Sequence, residues 1–277
     1  MSKKIQILTG PKDVPWYMGN MNLRLIHESV PKFSPMPLAW GSCTDPTWHF
    51  ILFTFNELSQ GLPPIPQFVN AVAQLHTVKR NPSGKFGFQI TTYNETLAQD
   101  NTWCDTWEEF YVKGMERILE LEGDARGPSS EVRKISAPFL SKVIPRLLRP
   151  LETQGRKIDP VLIHGDLWIG NVSAQSGSCD PLMFDASAFW GHNEYEPSTM
   201  RPLNNEWARE CMESYHAFIL KSEPVEDWDA RNPLYAIRTY AHDSALYPDE
   251  PKVRRKLMEE MQNLVAQLAE DHNEARG

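Results

Sequence analysis

A short polar loop between two apolar runs constrains this chain more than any other part of its sequence. Residues 160–164 are apolar up to His164, and a second apolar run, 182–185, ends in an aspartate. Within the loop, Asp166 and Asn171 lie five residues apart, which is the offset of the D-x-x-x-x-N pattern in kinase catalytic loops. We expect the two runs to be strands that form a hairpin-like pair. This pair would bring four polar side chains to one edge: His164, Asp166, Asn171 and Asp185.

These residue types fit phosphoryl transfer. That reaction requires a carboxylate near the attacking hydroxyl and ligands that hold Mg²⁺ on the nucleotide phosphates. We predict that Asp166 accepts the proton of the substrate hydroxyl. Asn171 and Asp185 offer the hard oxygen ligands that Mg²⁺ prefers and are the predicted metal ligands. The alternative is that Asp166 and Asn171 are ordinary turn residues, but the flanking apolar runs favour the catalytic interpretation.

Other chemistries have less support. The chain contains no G-x-S-x-G, H-E-x-x-H or G-x-x-x-x-G-K-[ST] motif. His164 and His192 could suggest a metal site, yet a histidine at a strand end more often orients its loop. The four cysteines are widely separated and include no C-x-x-C pair, which argues against zinc and a disulfide framework.

Charge and hydropathy restrict the partners. A net charge of −8 without a strong basic patch disfavours nucleic-acid binding. The longest apolar stretches are too short to span a bilayer. No apolar signal region follows Lys3 and Lys4, so we expect a cytoplasmic protein with reduced cysteines.

The pattern of the whole chain predicts an α+β, bilobal, protein-kinase-like fold. The first part predicts strands at 5–8 and 48–55 around a helix at 20–29. The Pro- and Gly-rich segment that ends at Pro66 predicts a hinge. We therefore expect a β-rich N-terminal lobe (1–56), which is incomplete, a linker (57–66) and a helical lobe (67–277). Its predicted helices are 67–76, 106–121, 130–148 (kinked by Pro138 and Pro145), 204–220, 234–246 and 252–272.

The loop resembles a known family. From His164 to Asn171 it reads H-G-D-L-W-I-G-N, which is similar to the H-G-D-L-W-x-G-N hallmark of the fructosamine kinases, also called ketosamine or protein-ribulosamine 3-kinases. Residues 184–194, 86–110 and 26–41 also resemble the family, and 226–248 resembles its fungal-type members. The family itself resembles aminoglycoside phosphotransferases and choline kinases in fold.

The resemblance implies an ATP- and Mg²⁺-dependent kinase. Members transfer the γ-phosphate of ATP to the 3-hydroxyl of a sugar attached to an amine, so the implied acceptor is a ketosamine or a related small molecule. It also implies that Trp168 flanks the sugar and that the strand ending near residue 55 binds adenine. The implied substrate-binding residues are His164, Trp168, Trp190 and Glu194, and the implied nucleotide-binding residues are Phe53, Phe55, Asn56 and Glu57.

The sequence departs from the family at its N-terminus. It has no G-x-G-x-x-G motif and starts too late for a full phosphate-covering loop. The position of the ATP-binding lysine falls near Gln6, and that of its helix glutamate falls near Gly19. A substitute would have to come from Lys3, Lys4 or Lys12. Two alternatives therefore stay open: a pseudokinase or small-molecule-binding protein, for example in fungal secondary metabolism, and a sequence that lacks its first exon.

Overall fold

A three-stranded antiparallel sheet and one helix form the N-terminal part of the chain. The structure is a computed structural model that describes residues 5–11, 20–45, 48–78, 81–203 and 205–274. Strands β1 (Ile5–Pro11) and β2 (Pro37–Ser42) both pair with β3 (Trp48–Thr54), and helix α1 (Asn20–Ser29) lies between β1 and β2 in sequence. Every second residue of β3 is buried, as expected for a strand with one face on the core. The predicted strands and helix of this region are confirmed.

The remaining strands form three short antiparallel pairs. Strand β4 (Tyr93–Asn94) pairs with β5 (Leu97–Ala98). Strand β6 (Val161–Ile163) pairs with β9 (Phe189–Gly191). Strand β7 (Val172–Ala174) pairs with β8 (Pro181–Met183).

The prediction that the runs 160–164 and 182–185 pair with each other was therefore wrong. A six-residue connection, 175–180, joins β7 to β8, and a strand pairs most readily with its nearest neighbour in the chain. Strand β6 pairs instead with β9, which follows Asp185. Two separate ladders, rather than one hairpin, thus flank the polar loop.

Helices make up most of the rest of the chain. Three of them begin at the capping residues Thr106, Ser129 and Asn205, whose side chains accept a backbone N–H from the first turn. Pro138 and Pro145 interrupt the predicted helix 130–148, which contains a π-helical turn between two α-helical parts. The helices are α2 (Ile65–His76), α3 (Trp107–Arg126), α4 (Ser130–Pro138), α5 (Ile144–Leu148), α6 (Tyr195–Ser198), α7 (Glu206–Tyr215), α8 (Trp228–Leu246) and α9 (Pro251–Glu274).

Helix α8 begins six residues before the predicted start at residue 234. Proline disfavours a helix interior because it lacks the backbone N–H that a helical hydrogen bond requires. The structure continues through Pro233 to Trp228. The fully buried Arg231 forms an ion pair with Glu194 at 2.8 Å, which holds the first turn of α8 in place. No helix in the part of the chain that the structure describes is long and apolar enough to cross a membrane.

An aromatic cluster around Trp107 forms the centre of the helical part. The Trp107 ring is fully buried and packs against Phe110 of the same helix and Phe189 of β9. Its indole Nε1 donates a hydrogen bond of 2.9 Å to the Tyr235 hydroxyl on α8. Burial of large aromatic side chains contributes several kcal/mol each. The cluster therefore fixes β9, and through it β6, at the back of the polar loop.

Candidate active site

The loop between β6 and β7 brings Asp166 and Asn171 together. The Asn171 amide Nδ2 donates to the Asp166 carboxylate at 2.7 Å and to its backbone oxygen at 2.8 Å. The Trp168 N–H donates to the same backbone oxygen at 3.2 Å, and a 3₁₀ turn over Ile169–Asn171 completes the loop. The five-residue spacing thus closes a compact loop with both functional side chains in contact.

Gly165 is required by this loop. Its φ is +87°, and a Cβ at this position would lie 2.4 Å from the Ser187 backbone oxygen. The Ser187 N–H also donates to the His164 carbonyl at 2.9 Å. The loop is therefore pressed against the segment that follows Asp185, and only glycine allows this approach.

Asp185 lies beside Asn171. It directly follows Phe184, whose N–H donates to the Asn171 carbonyl at 3.1 Å. Asp185 has a φ of +60°, a left-handed conformation that aspartate adopts more readily than most residues other than glycine. Its side chain is exposed. The surrounding protein raises its pKa, and the charge of Glu95 raises it further.

Asp166 has the most perturbed carboxyl of the site. Burial raises its pKa to about 7, and the nearby charges of Asp185 and Glu95 act in the same direction. Hydrogen bonds from the Asn94 and Asn171 amides oppose this rise. The three carboxylates around one loop therefore disfavour their simultaneous ionisation.

The backbone of the loop is held from below by Glu196, which sequence reasoning missed. Its carboxylate is fully buried and accepts the N–H groups of His164 at 2.5 Å and Gly165 at 3.1 Å. The His76 Nε2 lies 3.6 Å from the same carboxylate. Charge-assisted bonds of this kind stabilise a loop more than neutral ones do. No feature of the loop itself indicates this partner, which is supplied 30 residues later by α6.

The predicted substrate residues fall into two groups. Trp168 is 41% exposed, and its ring lies across Gly170, where a Cβ would be 2.3 Å from the ring. His164, Trp190 and Glu194, by contrast, are at most 2% exposed. Burial lowers the pKa of His164, although Glu196 and the Phe184 backbone oppose the effect.

Two of these three buried residues, Glu194 and Trp190, form hydrogen bonds with neighbouring elements. Glu194 pairs with Arg231 and accepts the Ser222 N–H at 2.7 Å. Trp190 lies in β9 and exchanges two backbone hydrogen bonds with Gly87, at 2.8 and 3.0 Å. The structure therefore brings Trp168 to the catalytic loop and places Trp190 and Glu194 in the interior behind it.

The predicted nucleotide segment follows β3. Phe53 is buried within the strand, and Phe55 is 43% exposed. The Glu57 carbonyl accepts the Ser176 N–H at 2.8 Å, and Asn56 Nδ2 lies 3.4 Å from the Gln175 side-chain oxygen. This segment is thus fixed onto the β7–β8 hairpin, whose two ends carry Asn171 and Asp185.

The N-terminal part reaches the site through α1. Asn22 is fully buried, and its Nδ2 donates to the Ala186 carbonyl at 2.8 Å, one residue after Asp185. Gln6 lies in β1 opposite Phe53 of β3. Four residues that bear on the predicted lysine and glutamate positions lie outside the described residues: Lys3, Lys4, Lys12 and Gly19.

Comparison with solved structures shows the fold. A protein from Thermobifida fusca assigned as a fructosamine-3-kinase matches with a TM-score of 0.73 at 21% identity, over 96% of this chain and 86% of that one. The aminoglycoside phosphotransferase APH(4)-Ia, in a ternary complex with AMP-PNP and hygromycin B, matches with a TM-score of 0.62 at 12% identity, over 95% and 86%. The fold is therefore α+β and kinase-like, as predicted, with a mainly helical C-terminal part.

Curated sequences match this chain at higher identity than these solved structures do, but over a smaller share of each chain. Ketosamine-3-kinase from Mus musculus is 34% identical over 56% of this chain and 47% of its own length. The chloroplastic protein-ribulosamine 3-kinase of Arabidopsis thaliana is 28% identical over 72% and 57%. The chain thus spans about half the length of these relatives.

The family model for fructosamine kinase matches residues 16–268, which include the catalytic loop, Asp185 and the helices that support them. This range is most of the chain and agrees with the resemblance of the loop sequence. The chain therefore belongs to the fructosamine kinase family.

Proposed function

We propose that this protein is an ATP- and Mg²⁺-dependent kinase that phosphorylates a sugar hydroxyl of a ketosamine, such as a ribulosamine or fructosamine, or of a related small molecule. The observation that carries the proposal is the contact of Asp166 with Asn171 beside Asp185, in a loop held by Gly165 and Glu196. The names of the curated relatives support the choice of acceptor.

In the proposed reaction, the acceptor hydroxyl oxygen attacks the γ-phosphorus of ATP. Asp166 takes the hydroxyl proton as the new P–O bond forms, and the bond to the ADP oxygen breaks, so that ADP leaves. The Asn171 amide holds the Asp166 carboxylate in one orientation. Trp168 offers an exposed aromatic face for the sugar ring next to the base. We assign direct contact with the sugar to Trp168 among the aromatic candidates, because Trp190 is buried.

The residues present fit a magnesium ion. Asn171 donates to Asp166 through Nδ2, so its other amide atom is an oxygen available as a ligand, and Asp185 adds a carboxylate. No group of three His, Cys, Asp or Glu side chains in the described ranges could hold a metal alone. Mg²⁺ in kinases commonly needs only one or two side chains, since substrate phosphates and water complete its shell. When bound, it would neutralise charge that develops on the phosphates.

We further propose that ATP binds between an N-terminal lobe (1–56) and a helical lobe (67–277), next to the linker 57–66. The attachment of Glu57 and its neighbours to the β7–β8 hairpin supports this position, because it links the linker to the metal ligands. Nucleotide binding by Phe53, Phe55, Asn56 and Glu57 is part of the proposal. A cytoplasmic location and a fungal-type subgroup are inferences from the sequence alone.

The test is direct phosphorylation. Purified protein is incubated with Mg-ATP and either fructosyl-lysine or ribulosyl-lysine, and ADP release is measured together with the 80 Da mass gain of the sugar. We expect turnover that Asp166→Ala abolishes and that Asp249→Asn, a change at an exposed surface carboxylate, leaves intact. ATP-dependent stabilisation without turnover on any ketosamine would reject the proposed activity.

A further inference from the structure

The β4–β5 hairpin places a third carboxylate at the mouth of the site. Strand pairing joins Asn94 to Leu97, which leaves Glu95 and Thr96 as the turn. The hairpin is anchored to the segment after Asp185 at both of its ends. Thr92 Oγ1 donates to the Ala188 carbonyl at 3.2 Å, and Gln99 Nε2 donates to the Ser187 carbonyl at 2.8 Å.

The residues that anchor the hairpin are buried and form further hydrogen bonds. Gln99 also accepts a 2.5 Å hydrogen bond from Arg238, which is 1% exposed on α8. Asn101 donates to Thr92 Oγ1 at 2.7 Å. Because these contacts fix the base of a two-residue turn, the position of Glu95 relative to the catalytic loop is fixed as well.

Glu95 occupies the turn at an energetic cost. Its φ is +51°, in the left-handed region where glycine is favoured. A side chain other than glycine, asparagine or aspartate in this region is uncommon. Backbone strain retained at a catalytic cleft is reason to ask what the side chain does there.

The Glu95 side chain is exposed and unneutralised. Among the residues that the structure describes, it forms no hydrogen bond and no ion pair with a cation. Its charge instead acts on two acidic residues, Asp166 and Asp185, and raises the pKa of both. The preceding residue, Asn94, bonds to the Asp166 side chain, so Glu95 lies one residue from the proposed base.

Glu95, Asp166 and Asp185 do not form a joint metal site. The described His, Cys, Asp and Glu side chains include no triad spaced to hold an ion, which excludes Glu95, Asp166 and Asp185 as a joint set. The Glu95 carboxylate is therefore not a third ligand of an ion held by Asp166 and Asp185. An exposed carboxylate without a cationic partner can instead bind a cationic group of a molecule in the site.

We propose that Glu95 is a specificity-determining residue that binds the protonated amine of the acceptor. This inference rests on the proposed ketosamine kinase function. In a ketosamine, three carbon atoms separate the amine nitrogen from the 3-hydroxyl oxygen, a span of about 5 Å at full extension. If the hydroxyl of the acceptor contacts Asp166 and its sugar packs on Trp168, its ammonium group lies near the β4–β5 turn that contains Glu95. The charge-assisted bond favours amine-linked sugars over neutral ones.

The test compares a cationic acceptor with a neutral one. The cationic probe is fructosyl-lysine with its secondary amine free, and the neutral probe is the same compound with that nitrogen acetylated. The variants are Glu95→Gln, which removes the charge, and Glu95→Gly, which also relieves the left-handed backbone. Glu213→Gln, at an exposed position on α7, is the matched control for the loss of one carboxylate.

We expect both Glu95 variants to raise KM for the cationic probe about tenfold, on the scale of one charge-assisted hydrogen bond at an exposed position. The KM for ATP, the Mg²⁺ requirement and the kinetics with the neutral probe should stay within twofold of the wild type. An equal effect on both probes, no effect on either, or a changed Mg²⁺ requirement would each overturn the assignment.

Binding separates this inference from the proposed activity. Calorimetry with Asp166→Asn, with and without Glu95→Gln, measures the affinity for both probes without turnover. If the wild type phosphorylates neither probe, the proposed activity fails. Even then, a tenfold loss of affinity for the cationic probe alone on adding Glu95→Gln would support the role of Glu95. Failure of Asp166→Asn protein to prefer the cationic probe would contradict it.

Discussion

Replacing Asp166 with asparagine should stabilise the fold at neutral pH while it abolishes phosphotransfer. The pKa of this carboxyl rises from an ordinary value of 3.8 to about 7, chiefly because of burial. Between these two values, the folded state binds more protons than the unfolded state does. Stability therefore falls as the pH rises through this window, and the loss is nearly complete about one pH unit above the folded-state pKa.

The magnitude follows from linkage. The difference between the two pKa values corresponds to about 4 kcal/mol, of which roughly 2 to 3 kcal/mol is lost between pH 5 and pH 8. The Asp166 side chain is only partly covered, so screening reduces these figures. Asparagine does not titrate, so the advantage of Asp166→Asn over the wild type should grow across this range.

The assay is thermal unfolding of both proteins at several pH values, with EDTA and without nucleotide. For a chain of 277 residues, 1 kcal/mol corresponds to about 2 °C in Tm. We expect the difference in Tm to widen by about 2 to 5 °C between pH 5 and pH 8. Asp249→Asn controls for the change in net charge. A difference that stays constant with pH would refute the argument, whatever its absolute size, because only a titrating Asp166 makes it vary.

Two further predictions concern the support of the site. Gly165→Ala should reduce kcat at least 100-fold in the phosphorylation assay, because the new Cβ would lie 2.4 Å from the Ser187 backbone oxygen. A near-normal kcat would contradict this, because it would show that the loop can shift without loss of function. Tyr235→Phe should lower the free energy of unfolding in urea by about 2 kcal/mol, because the Tyr235 hydroxyl bonds to both Trp107 Nε1 and His192 Nδ1 inside the core. Tyr240→Phe on the same helix is its control, and equal losses for the two variants would contradict the role of these bonds.

Local sequence predicted the features that depend on residues close together in the chain. Asp166 and Asn171 meet because they lie five residues apart within one compact loop of eight residues between β6 and β7. Pro138 and Pro145 interrupt their helix through a missing N–H that is part of the residue itself.

Features that depend on distant partners were not predictable in the same way. The sequence suggested that strands at 160–164 and 182–185 pair, but the choice of β9 as the partner of β6 follows from how the chain packs after Asp185. The resemblance suggested Trp190 and Glu194 as substrate residues, yet tertiary packing places both in the interior. Glu196 reaches the catalytic loop from α6, and nothing in its own sequence surroundings marks that contact.

The sequence by itself determined which groups the proposed site contains: the Asp166 carboxylate proposed as the base, the Asn171 and Asp185 oxygens proposed as metal ligands, and a loop that resembles one family. The tertiary structure decided the electrostatic environment of that chemistry. Burial and the approach of Asp185 and Glu95 raise the pKa of Asp166, and the buried Glu196 holds its loop. Residue identity fixes which groups can react, whereas the cost of their charges depends on solvent access and neighbours that only the folded chain brings together.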